Sequence, residues 1–178
     1  AVYIFCTIQG DVLYNMGSLS VVDIINRQEY YRILTSLFLH ANPQHIWGNM
    51  IFLAALGDML EKSIGHGRFF AIYMLAGIGG NLLSMGHELA TGQFCSTIGA
   101  SGAVFGLIGA LLLLICKNNG TYGQVSFRRM IFAIVYLFYS GIQSETTNNM
   151  AHLGGFITGF AVMAVFYCIA RRKYKRIR

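Results

Sequence analysis

Five long apolar stretches, at residues 44–61, 68–87, 98–116, 129–142 and 150–170, limit what this 178-residue chain can become. A backbone inside hydrocarbon must satisfy its own N–H and C=O groups, which leaves only helices and closed barrels. Barrel strands alternate in polarity over about ten residues; these stretches are longer and apolar on every face. Residues 1–8 are apolar too, and a spanning helix needs about 20 such residues. They read as the trailing half of a first span. The expected fold is therefore an all-α membrane bundle of six transmembrane helices, with the first truncated at its N-terminal end. Composition agrees: 55% of residues are hydrophobic and 11% charged, against about 25% charged in soluble domains, and the mean hydropathy is +0.55.

A net charge of +6 raises the question of nucleic acid, which the placement of the charge answers. Six of the 13 basic residues fall in the last eight positions, directly after an apolar run. That pattern suits a cytoplasmic tail beside anionic lipid, so membrane lipid is the expected partner and nucleic acid is not. The membrane domain is read as residues 1–170 and the basic tail as 171–178. Eleven of the 13 Lys and Arg residues lie in connections 62–68 and 117–129 or in the tail, and only Arg27 and Arg32 lie in the alternate connections. The positive-inside rule then puts both termini in the cytoplasm and segment 9–43 outside. In that segment Tyr30-Tyr31-Arg32 precedes an apolar stretch, as in an element lying partly in the interface. Cys6, Cys95, Cys116 and Cys168 share no metal-like spacing, and a small hydrophobic role fits them best.

Orientation brings the outer ends of helices 44–61, 98–116 and 150–170 to one level, and with them His45, Asn49, Ser101 and His152. A serine and a histidine at membrane depth are costly and mark a functional site by default. Ser101 sits in Gly99-Ala100-Ser101-Gly102, with Gly106 one turn on; His152 is followed by Gly155 and Gly159. Small residues four apart let membrane helices approach closely, as a Ser–His hydrogen bond requires. Either motif alone also fits plain helix packing, with Ser101 bonded back to its own turn. Together, on helices whose outer ends coincide, they favour a nucleophile and its base. His45 and Asn49 share a helical face and supply donors of the kind a developing oxyanion needs; as an isolated pair they would read as an interfacial histidine and an interhelical bond. No carboxylate is placed to complete a triad, so a dyad is expected. Phe105, one turn after Ser101, can pack its ring on the imidazole.

These residues together resemble the rhomboid family of intramembrane serine proteases from about residue 30 to 165. Gly99-Ala100-Ser101-Gly102 resembles the GxSG motif, Ala151-His152 with Gly155 and Gly159 the general-base helix, and His45-xxx-Asn49 the oxyanion pair. Gly57-xxx-Glu61-xxx-Gly65 is similar to the GxxxExxxG element, where the glutamate braces the cytoplasmic side. Tyr31-Arg32 stands where many members carry Trp-Arg, and Phe105 where some carry tyrosine. The resemblance implies a serine endopeptidase with no cofactor and no metal. It would cut single-pass or other transmembrane protein substrates in or beside their spans. Ser101 and His152 would be catalytic, with His45, Asn49 and the Ser101 N–H around the oxyanion; Phe105, Arg32, Glu61, Gly99, Gly102, Gly155 and Gly159 would support them. It further implies a multi-pass protein of the bacterial plasma membrane with its site open to the outer face, a gate at 129–142 and a cap at 143–149.

Three other readings compete. A catalytically silent rhomboid-like protein that binds membrane clients would lack the serine or the histidine, and both are present. A transporter would show inverted repeats and midplane charges, and a zinc protease built on His40, His45 and His152 would show a ligand motif such as HExxH. The sequence contains neither set of features. His66 and His87 fit solvated or interfacial positions.

Overall fold

A computed structural model describes residues 11–144 and 147–175. Three short helices open it: α1 (Asp11–Gly17), α2 (Val21–Arg27) and α3 (Arg32–Thr35), closed by a 3-10 turn at Ser36–Phe38. Five long helices follow, α4 (Pro43–Ile64), α5 (His66–Thr91), α6 (Ser101–Lys117), α7 (Phe127–Ile142) and α8 (Asn149–Lys175). Each matches one of the five apolar stretches. The first span expected at residues 1–8 lies outside the described residues, as do Cys6, Glu145 and the end of the basic tail. Helices α5 and α8 are long and apolar enough to cross a membrane, and α6 is apolar but shorter.

The differences in bounds have physical causes. Helix α6 starts at Ser101 rather than 98 because Gly99 has φ +127°, a backbone state open to glycine and not to helix. Helix α5 runs on to Thr91 and so takes in Glu88, which is buried in it rather than lying in a loop. Connection 117–129 is not plain loop: β1 (Thr121–Tyr122) pairs antiparallel with β2 (Val125–Ser126). Positive φ at Asn119, Gly120 and Gly123 turns the chain there. Residues 11–38 form a platform tied together by Arg32, which is only 3% exposed. Its guanidinium donates to the Asn15 and Ser18 carbonyls at 2.8 and 2.9 Å and to Glu29 at 2.6 Å.

Helix α6 is the centre of the bundle, with 12 of its 17 residues buried. Leu107, Ala110 and Leu113 pack with Leu60, Ile72 and Met163, while Ile108, Leu111 and Ile115 pack with Met130. Helices α5 and α8 embrace α6 over much of its length, whereas α7 touches it lightly. The outer surface stays apolar, with Trp47, Phe70, Phe132 and Tyr136 exposed. Apolar surface on this scale needs a non-aqueous neighbour.

The α6–α8 contact is made by backbone. A methyl at Gly155 would strike the Gly102 carbonyl, and one at Gly159 the Gly106 carbonyl. Gly155→Ala is therefore expected to destabilise by about 1–3 kcal/mol through overpacking. Gly86→Ala, with nothing within 4 Å, is expected to leave the thermal midpoint in detergent unchanged or higher. Equal midpoints for the two variants would refute the close-contact account.

Candidate active site

Ser101 is the first residue of α6 and His152 the fourth of α8. The glycine contact brings them together: His152 Nε2 lies 2.8 Å from Ser101 Oγ. With the serine hydroxyl donating, the ring proton sits on Nδ1. Nδ1 is buried and has no hydrogen-bond partner among the described residues, so none of their carboxylates orients the ring. Stacking does so instead. Phe105 lies parallel to the imidazole, with centroids 4.1 Å apart and 11° between planes. Phe138 of α7 meets Phe105 edge-on at 5.1 Å.

The turn before Ser101 is built for a second histidine. The Gly99 N–H donates to the Ser36 carbonyl at 2.9 Å. A methyl group at position 99 would sit 2.6 Å from His45 Cε1 and 3.7 Å from Ser101 Oγ, so glycine is required by space as well as by φ. His45 is set by its own helix start, where its N–H donates to Asn42 Oδ1 at 2.8 Å. Asn49 follows one turn on, buried, its Nδ2 without a partner among the described residues. The Ser101 N–H, at the first position of α6, has no carbonyl one turn back to bond. His45 and the Ser101 N–H thus stand on either side of Gly99, beside a serine paired to a histidine.

Of the residues singled out from sequence, Ser101, His152, Phe105, His45, Gly99, Gly102 and Gly155 cluster here. Gly159 lies one turn deeper in the same helix contact. Arg32 acts at a distance, through the platform that supplies the Ser36 carbonyl. Glu61 lies near the far end of α4, partly exposed, with Oε1 2.7 Å from His66 Nδ1. His66, expected at a solvated or interfacial position, is exposed there. Ser84, Glu88, Thr97 and Asn148, beside the start of the histidine helix, escaped sequence reading. Their one readable signal was Ser84-xxx-Glu88, two polar residues on one face of an apolar helix.

The Rhomboid domain model matches residues 27–169, and the chain belongs to the rhomboid family. It is 37% identical over 156 residues to RHOMBOID-like protein 1 of Arabidopsis thaliana, covering 86% of this chain and 39% of that protein. RHOMBOID-like protein 2 of the same plant is 33% identical over 167 residues, 93% of this chain and 50% of its own length. Rhomboid protease GluP of Bacillus subtilis (strain 168) is 33% identical over 141 residues, 79% of this chain and 27% of its own. This chain thus spans half or less of the length of each of these relatives.

His40, in the loop before α4, has its ring edge-on to His45 at 5.1 Å. Burial, with His45 beside it, lowers its pKa to about 4. An unfolded histidine titrates near 6.5, so the unfolded chain takes up this proton first as pH falls. The stability held above pH 6.5 is lost towards pH 4. Thermal midpoints measured across that window are expected to fall for the parent chain and to fall less steeply for His40→Gln; equal slopes would rule His40 out as a source.

Proposed function

We propose that this chain is an intramembrane serine endopeptidase that hydrolyses peptide bonds in or next to the transmembrane segments of other membrane proteins. The observation that carries the reading is the 2.8 Å contact between Ser101 Oγ and His152 Nε2, on two apolar helices of a rhomboid domain. Ser101 attacks the scissile carbonyl while His152 takes its proton, then hands it to the leaving amine. His45, Asn49 and the Ser101 N–H hold the oxyanion. Water then cleaves the acyl-enzyme and Ser101 recovers its proton through His152. Phe105 keeps the imidazole in line in place of a carboxylate. The chemistry uses no metal and no cofactor. The substrate segment unwinds before cleavage, since helical hydrogen bonds shield the peptide bond. Access comes past α7, which is lightly packed on its neighbours and serves as the gate, with residues 143–149 as the cap. The charge distribution supports a multi-pass topology with cytoplasmic termini and a site open to the outer face.

Reconstitution in liposomes with single-span substrates tests this reading. The parent chain is expected to cleave them and to be labelled by a fluorophosphonate, and Ser101→Ala and His152→Ala to do neither. Asn49→Ala, which removes one oxyanion donor, is expected to lower kcat by about 10²-fold. Cleavage that survives Ser101→Ala would overturn the mechanism, and a parent chain that binds substrates without cleavage or labelling would be a silent client binder.

A further inference from the structure

A second polar cluster lies against the start of α8, and its hydrogen bonds run in one direction. Asn148 caps the helix: its Oδ1 accepts from the Ala151 N–H at 3.0 Å, and its carbonyl accepts from the His152 N–H at 3.2 Å. That cap fixes which way the amide faces. Both Nδ2 hydrogens are then spent, on Ser84 Oγ at 2.6 Å and Thr97 Oγ1 at 2.7 Å. Ser84, whose oxygen already accepts, directs its own O–H to Glu88 Oε1 at 3.1 Å. Glu88 is only 3% exposed. It also accepts from the Cys95 N–H at 3.3 Å on Oε2 and from the Cys95 thiol at 3.5 Å on Oε1. Partial desolvation, with the carboxylate alongside, raises the Cys95 thiol, which therefore stays an S–H donor. Every group facing Glu88 in this network donates, so both of its carboxyl oxygens serve as acceptors.

We propose that Glu88 is a positioning residue, whose carboxylate sets the direction of a relay, Glu88–Ser84–Asn148, that fixes the start of the helix carrying His152. The proposal rests on the catalytic reading above only in what it says the helix start is for. Loss of the acceptor at 88 leaves Ser84 with no place for its proton, loosens Asn148, and lets the first turn of α8 move relative to Ser101. Cooperative polar networks of this kind stand or fall on complete satisfaction.

The polarity of the relay permits a sharp test, because it can be reversed whole. In Glu88→Gln, the amide donates to a Ser84 oxygen that already accepts from Asn148, and the serine proton is stranded. In Asn148→Asp, a second carboxylate faces Ser84 across from Glu88. In the double variant the amide of residue 88 donates to Ser84, and Ser84 and Thr97 donate to the new carboxylate at 148. That carboxylate still caps Ala151, and one negative charge is kept.

The four full-length proteins would be compared in detergent by the rate of fluorophosphonate labelling at Ser101, by kcat and KM on a single-span substrate, and by thermal midpoint. Each single variant is expected to label about five- to tenfold more slowly with KM little changed, for the loss of one buried hydrogen bond. The double variant is expected to return to within about twofold of the parent, a coupling that independent sites do not show. Where a single variant fails to fold, recovery of folded, labelling protein in the double supports the relay equally. Additive losses in rate and midpoint, or singles that label at the parental rate, would overturn the relay. If the parent itself does not label, the protease reading falls, while the cycle of thermal midpoints still judges the relay.

Discussion

The backbones of α6 and α8 meet with almost nothing between them, and the rest of the bundle is arranged around that contact. Gly155 lies on the Gly102 carbonyl and Gly159 on that of Gly106, so the helices approach closer than any side chain would allow. In lipid no hydrophobic effect pulls helices together, and close van der Waals contact must do so instead. Ser101 and His152 sit at one end of this seam, where helix separation translates directly into the Ser–His distance. Helix α5 joins the same arrangement, because a methyl at Gly80 would meet Ala151 and one at Gly79 would meet Thr158.

What the seam does in one direction, the platform does in the other. Arg32 gathers the Asn15 and Ser18 carbonyls and the Glu29 and Asp23 carboxylates within segment 11–38, and Asn81 of α5 donates to the Ile33 carbonyl and to Ser36 Oγ at 2.8 and 2.9 Å. Ser36 in turn receives the Gly99 N–H, and Leu19 pairs with Thr97 through two backbone bonds. The loop entering the serine helix is thus held by a polar lattice. An ion network can replace apolar packing here because its members satisfy one another.

Much of this was legible in the sequence because lipid imposes a simple code. Apolar length marks a helix, and the five apolar stretches correspond to α4–α8, of which α5 and α8 are long and apolar enough to cross a membrane. Glycines four apart mark a close seam, which is what Gly102, Gly106, Gly155 and Gly159 form. Ser101, His152 and His45 are legible because polar residues stand out against apolar ground, and Phe105 by its place one turn after Ser101. Glu88 and Asn148 did not stand out, since each lies at the edge of an apolar run where charge is ordinary. Their importance depends on which way a hydroxyl points, and no pattern of residue types encodes that. The hairpin at 121–126 was missed for a related reason: its signals are glycines within a short polar connection, and these suit a plain turn equally well.

Helix α6 starts late and is short for a span. At about 1.5 Å per residue its 17 residues measure roughly 25 Å, several ångströms less than a hydrocarbon layer of about 30 Å. With Lys117 at one boundary, a helix of that length ends short of the other, at Ser101. Bilayer thickness then becomes a variable of the chemistry: a thinner membrane lifts the serine towards water, while a thicker one sinks it. Under the proposed function, the same chain moved between membranes of different lipid would differ in how far along a substrate's span it makes the cut.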